Sequence, residues 1–564
     1  MSTLNKGTEM NEFAIEHIPE SKYCFAENKN TVTLRLRISK YDNPEKIEVI
    51  YGGKYEYASA RYTADMKRNH EDRLFAYYTA TLCLKDVRLV YVFAITENGK
   101  TYFFSEDGLT EHYDYTLNYY NCFQLAYVNE IDIMKQVNWL QTATFYQIFV
   151  ERFNIGNKNK DMSYVNMKWG ELPEPKSFAG GDIKGITDKL EYIKNLGINA
   201  LYLTPVFSSV SNHKYDISDY YEIDKNFGDK KDLKELIEKS HALGIKVVLD
   251  AVFNHCSEKL SQFQDVLKNG KNSEYYDWFI ITKDSPLEYE CFASCKYMPK
   301  FNTSNSEVCA FLIDIATYWI KEFDIDGWRL DVSDEVSHDF WRQFRKAVKK
   351  AKPDCVLIGE NWHDANAYLR GDQYDSIMNY AFTKACLDFY AFGYFTPKQF
   401  AEKLNELLMR NSNAANGMLL NLLDSHDTHR FITQTKDNDK FLSALALLYV
   451  FVGVPCIYYG TEIALQGYHD PDSRRTFDWE KADKNTSLMR LIKHMCGLKS
   501  GGELSGASIS VKENGGIIEV KRDKYKLVIN GNGFVVKYSP VNESFSNKYK
   551  NGMLGGWGFV LEKI

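Results

Sequence analysis

Long apolar runs are missing from this chain. None approaches the roughly 20 residues that cross a bilayer, so no membrane role is expected. An excess of positive charge is missing too. With 69 Lys and Arg against 76 Asp and Glu, a net charge of -7 and a pI near 6.0, there is no basic field for a phosphate backbone, and nucleic acid is not an expected partner. Short runs such as Lys349-Lys350 read as solvated helix faces. The eleven cysteines are scattered and odd in number. Cys83, Cys355 and Cys456 lie in apolar, strand-like runs, as reduced core thiols do. Cys291 and Cys295 form the only close pair, and no second pair completes a zinc set. Residues 1–20 mix Lys6, Glu9, Glu12 and Glu16 with few apolar side chains and lack a secretion-signal core. A cytoplasmic location is expected. The sequence holds no internal repeat and no low-complexity linker.

Aromatics, by contrast, are plentiful: 39 Tyr, 34 Phe and 9 Trp. Most such rings build cores, but flat and partly polar ones also suit the apolar faces of sugars. At 564 residues the chain is too long for one domain. Residues 30–104 read as strands, alternating along 31–38 and more continuously apolar along 87–94, with turns at Asn43-Pro44 and Gly52-Gly53. We expect an N-terminal β-sandwich over 1–125, with a connector from Asn118 to Leu140.

From Thr144 short apolar strands alternate with amphipathic helices, the pattern of βα units around a parallel sheet. Strands are expected at 145–150, 200–203, 245–250, 324–331, 355–358, 376–379, 418–423 and 455–459. Leu233, Leu236, Ile237 and Leu243 line one helix before Gly244, and Phe311, Ile315 and Trp319 line another. The expected fold is therefore α/β, a (β/α)8 TIM barrel over 126–484 with a long insertion after the third strand, at about 252–304. Strand signals at 517–520, 526–529 and 534–536 return after glycine-rich turns and predict a small C-terminal β-domain over 485–564.

Barrel enzymes carry their chemistry where strands end at the C-terminal face. Here Asp250, Asp331, Glu360 and the segment Asp424-Ser425-His426-Asp427 all follow apolar strand residues. Any one could be a solvated loop acid; several at strand ends converge on one pocket. Arg329 and Asp331 share a strand face, and a guanidinium keeps a neighbouring carboxylate ionised, as a nucleophile requires. Glu360, beside Trp362 and an apolar strand, suits a protonated donor whose pKa is raised by desolvation. Asp427 is a third acid able to hold sugar hydroxyls, and His213, His255 and His426 are candidate donors to them. An ionised and a protonated carboxyl together are the equipment of retaining glycoside hydrolysis.

The segments Asp250-Ala251-Val252-Phe253-Asn254-His255, Gly327-Trp328-Arg329-Leu330-Asp331, Gly359-Glu360-Asn361-Trp362-His363 and Leu423-Asp424-Ser425-His426-Asp427 resemble the four signature segments of the α-amylase family, glycoside hydrolase family 13. Met298-Pro299-Lys300-Phe301-Asn302, the stretch from Tyr146 to Phe153 and His213-Lys214-Tyr215-Asp216 resemble its neopullulanase, cyclomaltodextrinase and maltogenic amylase subgroup. The resemblance is strong over about 140–480 and extends to the flanking domains by layout only. It implies Asp331 as nucleophile, Glu360 as acid/base and Asp427 as transition-state stabiliser. It also implies sugar contacts from His213, His255, Arg329 and His426, stacking by Tyr215, and outer contacts from Asp470 and Arg474. The substrate implied is an α-glucan oligosaccharide, and the assembly a homodimer through the N-terminal domain. The sequence departs from the subgroup at Ser333-Asp334, Asn361 and His429.

No cofactor is required on this reading. Calcium has only weak candidates in Asn157, Asp161, Gly180 and Asp182, with Ile155 and Lys160 standing where the subgroup commonly has further Asn ligands. The expected activity is cleavage of α-1,4 bonds in cyclodextrins, maltooligosaccharides and pullulan, with transglycosylation alongside. Two alternatives stand beside it: an exo-acting α-glucosidase of the same family, and a noncatalytic amylase-like carbohydrate-binding protein. The three acids count against the second.

Overall fold

The computed structural model describes residues 10–117, 120–482 and 484–564. Residues 1–9 of the charged N-terminal stretch, and Asn118 at the head of the expected connector, lie outside the described residues.

In the N-terminal sandwich Thr31–Ser39 pairs with Cys24–Asn28 and with Phe75–Cys83, and packs on a sheet centred on Lys46–Gly53 and Leu89–Glu97. Val32, Leu34, Leu36 and Ile38 alternate into a core shared with Val49, Phe93 and Ile95. The opposite face of Thr31–Ser39 is not left to water, because it lies on the barrel. Arg35 is buried there and donates to the Asn411 carbonyl and to Asn413 Oδ1, each at 2.7 Å. Lys40 reaches Glu402 at 3.0 Å on helix Pro397–Leu408.

Among the described residues the central sheet has eight parallel strands. They are β1 Phe145–Ile148, β2 Ala200–Leu203, β3 Lys246–Ala251, β4 Gly327–Leu330, β5 Val356–Gly359, β6 Ser376–Ile377, β7 Leu420–Leu422 and β8 Val454–Tyr458. Neighbours pair in chain order, β8 pairs with β1, and a parallel bridge between Met378 and Leu420 closes the ring, with the Asn379 N–H donating to the Leu420 carbonyl at 2.8 Å. Strand residues are buried on both faces, as in a barrel whose interior is packed.

The covering helices follow the expected periodicity. Helix Lys230–Ala242 begins at a capping box of Asp229 and Asp232, buries Leu233, Leu236 and Ile237, and is followed by Gly244 at φ +70°, which turns the chain into β3. Helix Ser306–Phe323 buries Leu312, Ile315 and Trp319. Between β3 and that helix the insertion is structured, with helix Ser261–Asn269 and a hairpin of Ile281–Asp284 and Leu287–Tyr289. It is tied back where the Phe301 N–H donates to the Asn254 carbonyl at 3.0 Å.

A final helix, Ser487–Ser500, stands between the expected boundary at 484 and the first C-terminal strand, Ile509–Asn514. It packs on helix Asn438–Val450, with Tyr449 Oη 3.3 Å from Cys496 Sγ. The C-terminal sheet corrects one expectation: 534–536 is not a buried strand, since pairing starts at Val536 and both Phe534 and Val535 are exposed. The longest strand there, Met553–Lys563, was not anticipated because Gly555, Gly556 and Gly558 interrupt its pattern. At Gly556 a Cβ would stand 2.7 Å from the Gly533 carbonyl carbon, so close backbone approach explains the glycine.

Candidate active site

The register of three adjacent strands brings the charged residues together. Asp250 on β3 lies opposite Arg329 on β4, which lies opposite Ile358 on β5, two residues before Glu360. Arg329 is fully buried at the centre. Its Nη1 donates to both oxygens of Asp250, at 3.0 and 3.1 Å, and to Asp331 Oδ1 at 2.7 Å. Its Nη2 lies 2.8 Å from Glu360 Oε2. The sequence led us to expect a guanidinium serving Asp331; the structure has one cation serving three buried carboxyls. Burial pushes Asp250, Asp331 and Glu360 above the ordinary carboxylate range and Arg329 pulls each of them back. A single positive charge opposes the rise at all three, and the rise is greatest at Asp331, which faces both other carboxyls.

The partners of each carboxyl differ. Asp250 also accepts from Tyr202 Oη at 2.8 Å and Tyr215 Oη at 3.0 Å. Glu360 Oε2 accepts the Val332 N–H at 3.0 Å. Asp331 Oδ2, buried at the wall of the cleft, has no partner among the described residues.

Three histidines surround this cluster. Burial lowers His426 and His255 to about 3 and His213 to about 4, so all three are neutral at working pH. The Gln147 carboxamide nitrogen lies 2.7 Å from His426 Nδ1, which must then accept; the ring proton is on Nε2, 2.6 Å from Tyr215 Oη and 3.2 Å from Asp427 Oδ2. Likewise the Tyr215 N–H donates to His213 Nδ1 at 3.1 Å, leaving Nε2–H for the cleft. Burial would raise Asp427; His426 and Arg474 bring it below its ordinary value. Since His426 is uncharged at neutral pH, Arg474 at 3.3 Å is the cation that acts there, and it also pairs with Asp470 at 2.9 Å.

These groups line one open cleft of about 520 Å³, with Asp331, Glu360, Asp427, His213, Tyr215, His255, Trp362, Asp470 and Arg474 in its wall. Arg329 and His426 are buried behind it. Trp362 stands at the rim, 53% exposed, stacked on Tyr380 with centroids 3.6 Å apart and planes 5° from parallel. Its free face is a platform of the kind that sugars use. Reading the sequence missed Tyr202, Gln147, Tyr380 and Phe292, whose ring stacks on His255 at 4.8 Å. Tyr202 lies on a barrel strand, where inward alternation was its only signal; Gln147 falls within the Tyr146 to Phe153 stretch of the resemblance but was given no role; nothing in the insertion marks Phe292.

The weak calcium candidates do not form a ligand set. Asp182 is engaged by the N–H groups of Gly156, Asn157 and Gly185, and by the Lys160 ammonium at 2.9 Å. That ammonium also donates to the carbonyls of Gly180 and Asn226, at 2.7 and 2.8 Å. Asp161 and Asn157 turn their side chains outward to local N–H groups. A lysine head among three oxygens leaves no space or charge deficit for a divalent ion, so the residues present do not fit calcium.

Residues 147–499 match the alpha amylase catalytic domain and residues 10–129 the alpha amylase N-terminal ig-like domain. The chain belongs to the α-amylase family. Over 498 residues it is 42% identical to the cyclomaltodextrinase of Thermoanaerobacter pseudethanolicus, covering 87% of this chain and 86% of that one. Over 500 residues it is 41% identical to the intracellular maltogenic amylase of Bacillus subtilis, covering 86% and 84%. A solved cyclomaltodextrinase structure superposes with a TM-score of 0.89 at 34% identity, covering 98% of this chain and all of that one.

If one guanidinium holds three carboxyls, Arg329→Lys will not replace it, because an ammonium cannot bridge them in a plane. Activity should fall by ~10²–10³-fold. Weaker support for the ionised carboxylates raises their pKa values, so the acidic limb of the kcat/KM profile should move to higher pH. A pH-rate profile with an unmoved acidic limb would contradict the shared-cation arrangement.

Proposed function

We propose that this glycoside hydrolase is a cytoplasmic, retaining enzyme that cleaves α-1,4-glucosidic bonds in cyclodextrins and short maltooligosaccharides, as the names of its relatives suggest. The observation that carries the reading is Asp331, with Oδ1 held at 2.7 Å by Arg329 and Oδ2 unpartnered in the cleft. Oδ2 attacks the anomeric carbon while Glu360 gives its proton to the departing glycosidic oxygen. Water then gives a proton to Glu360 and its oxygen displaces Asp331, restoring both acids. A sugar hydroxyl in place of that water gives transglycosylation. Asp427, held ionised by Arg474, balances the positive charge that develops on the ring; neutral His213 donates to a hydroxyl, and neutral His426 holds Tyr215 and Asp427 in place. An Arg329 shared by Asp331 and Glu360 favours the close carboxyl spacing, about 5 to 5.5 Å, of the retaining route.

No step passes through calcium. Chelation should leave the melting temperature unchanged, whereas Lys160→Met, which removes the only cation on buried Asp182 but leaves its three N–H donors, should destabilise by about 1–3 kcal/mol. A melting temperature that drops on chelation would contradict this.

Asp331→Asn keeps side-chain volume and removes the nucleophile, so β-cyclodextrin hydrolysis should fall by several orders of magnitude with circular dichroism unchanged. Near-normal turnover by the purified variant would refute the assignment.

The N-terminal sandwich docks on the flank of its own barrel, and none of its described residues lines the cleft. On our reading a partner's N-terminal domain covers the cleft in a dimer, admitting cyclic and short glucans over starch. Initial rates on β-cyclodextrin, maltohexaose, pullulan and soluble starch, with light scattering, test this. A dimer that prefers β-cyclodextrin is expected; a monomer faster on starch would overturn the covered cleft and leave the acids' roles intact.

A further inference from the structure

The insertion returns to the barrel through a tight loop, 291–299, whose backbone is bonded on itself. The Phe292 N–H donates to the Met298 carbonyl at 3.0 Å, the Cys295 N–H to the Phe292 carbonyl at 2.9 Å and the Met298 N–H to the Cys295 carbonyl at 2.8 Å. From outside the loop, the Glu258 N–H donates to the Tyr297 carbonyl at 2.8 Å and Tyr289 Oη to the Lys296 carbonyl at 2.9 Å. Met298, the next residue, is buried. The backbone of Tyr297 is thus fixed before any ligand arrives. Its side chain, however, is not used to bury the loop: Tyr297 is 43% exposed and lies in the wall of the cleft. Trp362 and Phe292 in the same wall each have a ring stacked behind them. Among the described residues no other ring packs on Tyr297. Burial pushes its hydroxyl up to about 12 and Cys295 beside it adds to the rise, so the ring carries no charge at working pH. An exposed aromatic on a convex surface needs no explanation. One in a concave wall beside three acids presents a flat, neutral face where a ligand lies.

We propose that Tyr297 is a specificity-determining residue: its ring stacks on a glucose unit of the glucan away from the bond that breaks, so that the cleft favours chains long enough to reach the insertion. This rests on the reading of the cleft as the glucan site. The three acids follow β4, β5 and β7, whereas Tyr297 enters the wall from the insertion after β3. The unit it holds is therefore a remote one. The C–H face of that unit covers the ring and its hydroxyls stay at the ring's edge, so the contact is made equally before and during bond cleavage. Such uniform binding acts on KM and leaves kcat alone.

Binding can be measured without turnover in Asp331→Asn. Calorimetric titration with maltohexaose should give a Kd about 3–10-fold higher in Asp331→Asn/Tyr297→Ala than in Asp331→Asn. Tyr297→Phe, which keeps the ring and drops the hydroxyl, should restore most of that affinity. With Asp331 intact, Tyr297→Ala should raise KM for maltohexaose by a similar factor at nearly constant kcat, and the rise on a nitrophenyl α-maltoside, which is shorter, should be much smaller. Equal Kd values with and without the ring would overturn the proposal. So would Tyr297→Phe binding no better than Tyr297→Ala, or equal losses on the long and the short substrate, since either would mean that the ring is not the contact. Should Tyr297→Ala fail to fold, Tyr297→Leu keeps apolar bulk without a flat face; it should bind as weakly, and wild-type affinity there overturns the proposal equally. The two failures are distinguishable: if millimolar maltohexaose does not bind Asp331→Asn at all, the glucan reading of the cleft falls and the proposal with it, whereas binding indifferent to Tyr297 removes the proposal alone.

Discussion

The site depends on one buried guanidinium. Two unit charges about 4 Å apart near a protein surface interact by about 4 kcal/mol, and Arg329 makes contacts this close or closer with Asp250, Asp331 and Glu360 at once. Without it three carboxyls could not share the end of a barrel in ionised form. With it, the rise that burial imposes is opposed at each of the three. The barrel supplies the arrangement, because parallel pairing sets Asp250, Arg329 and Ile358 side by side on β3, β4 and β5.

Around this core the cleft is graded. Its floor is ionic. Its middle holds imidazoles that burial keeps neutral, each with a ring N–H oriented by a partner on its other nitrogen. Its outer wall has a second cation, Arg474, between Asp427 and Asp470. The wall also carries Trp362 stacked on Tyr380 and Phe292 stacked on His255. Charged groups thus lie at the floor, neutral imidazoles above them and flat aromatic faces at the rim. Away from the cleft the same economy of charge recurs at Lys160, whose ammonium ties the loop after β1 to the carbonyls of Gly180 and Asn226.

Much of this was legible in the sequence, for reasons specific to each residue. Asp331 and Glu360 directly follow short apolar strands, and a barrel can only present such residues at one face. The strands were readable because both faces are buried and the helices between them keep their period. What could not be read depends on tertiary placement. Arg35 stands at a position that alternation assigns to solvent, and it is buried because the barrel covers it. Tyr380 is a helix residue in sequence and becomes part of the rim only because β6 ends beside β5. Lys160 could have paired with either of two aspartates, and the fold around Gly180 selects Asp182. Met553–Lys563 carries glycines that read as turn signals and are there for close strand contact. Val332 looks like an ordinary residue after a motif, since its left-handed backbone leaves no trace in composition.

The central claim is that Arg329 sets Asp331 and Glu360 close enough for a double displacement through a glycosyl-enzyme bond. Proton NMR of the first product released from maltotriose or β-cyclodextrin, recorded before mutarotation, tests it most directly. The account predicts that the new reducing end appears first as the α-anomer and drifts to the equilibrium mixture. A β-anomer appearing first would mean direct displacement by water across a wider carboxyl pair, and would contradict it.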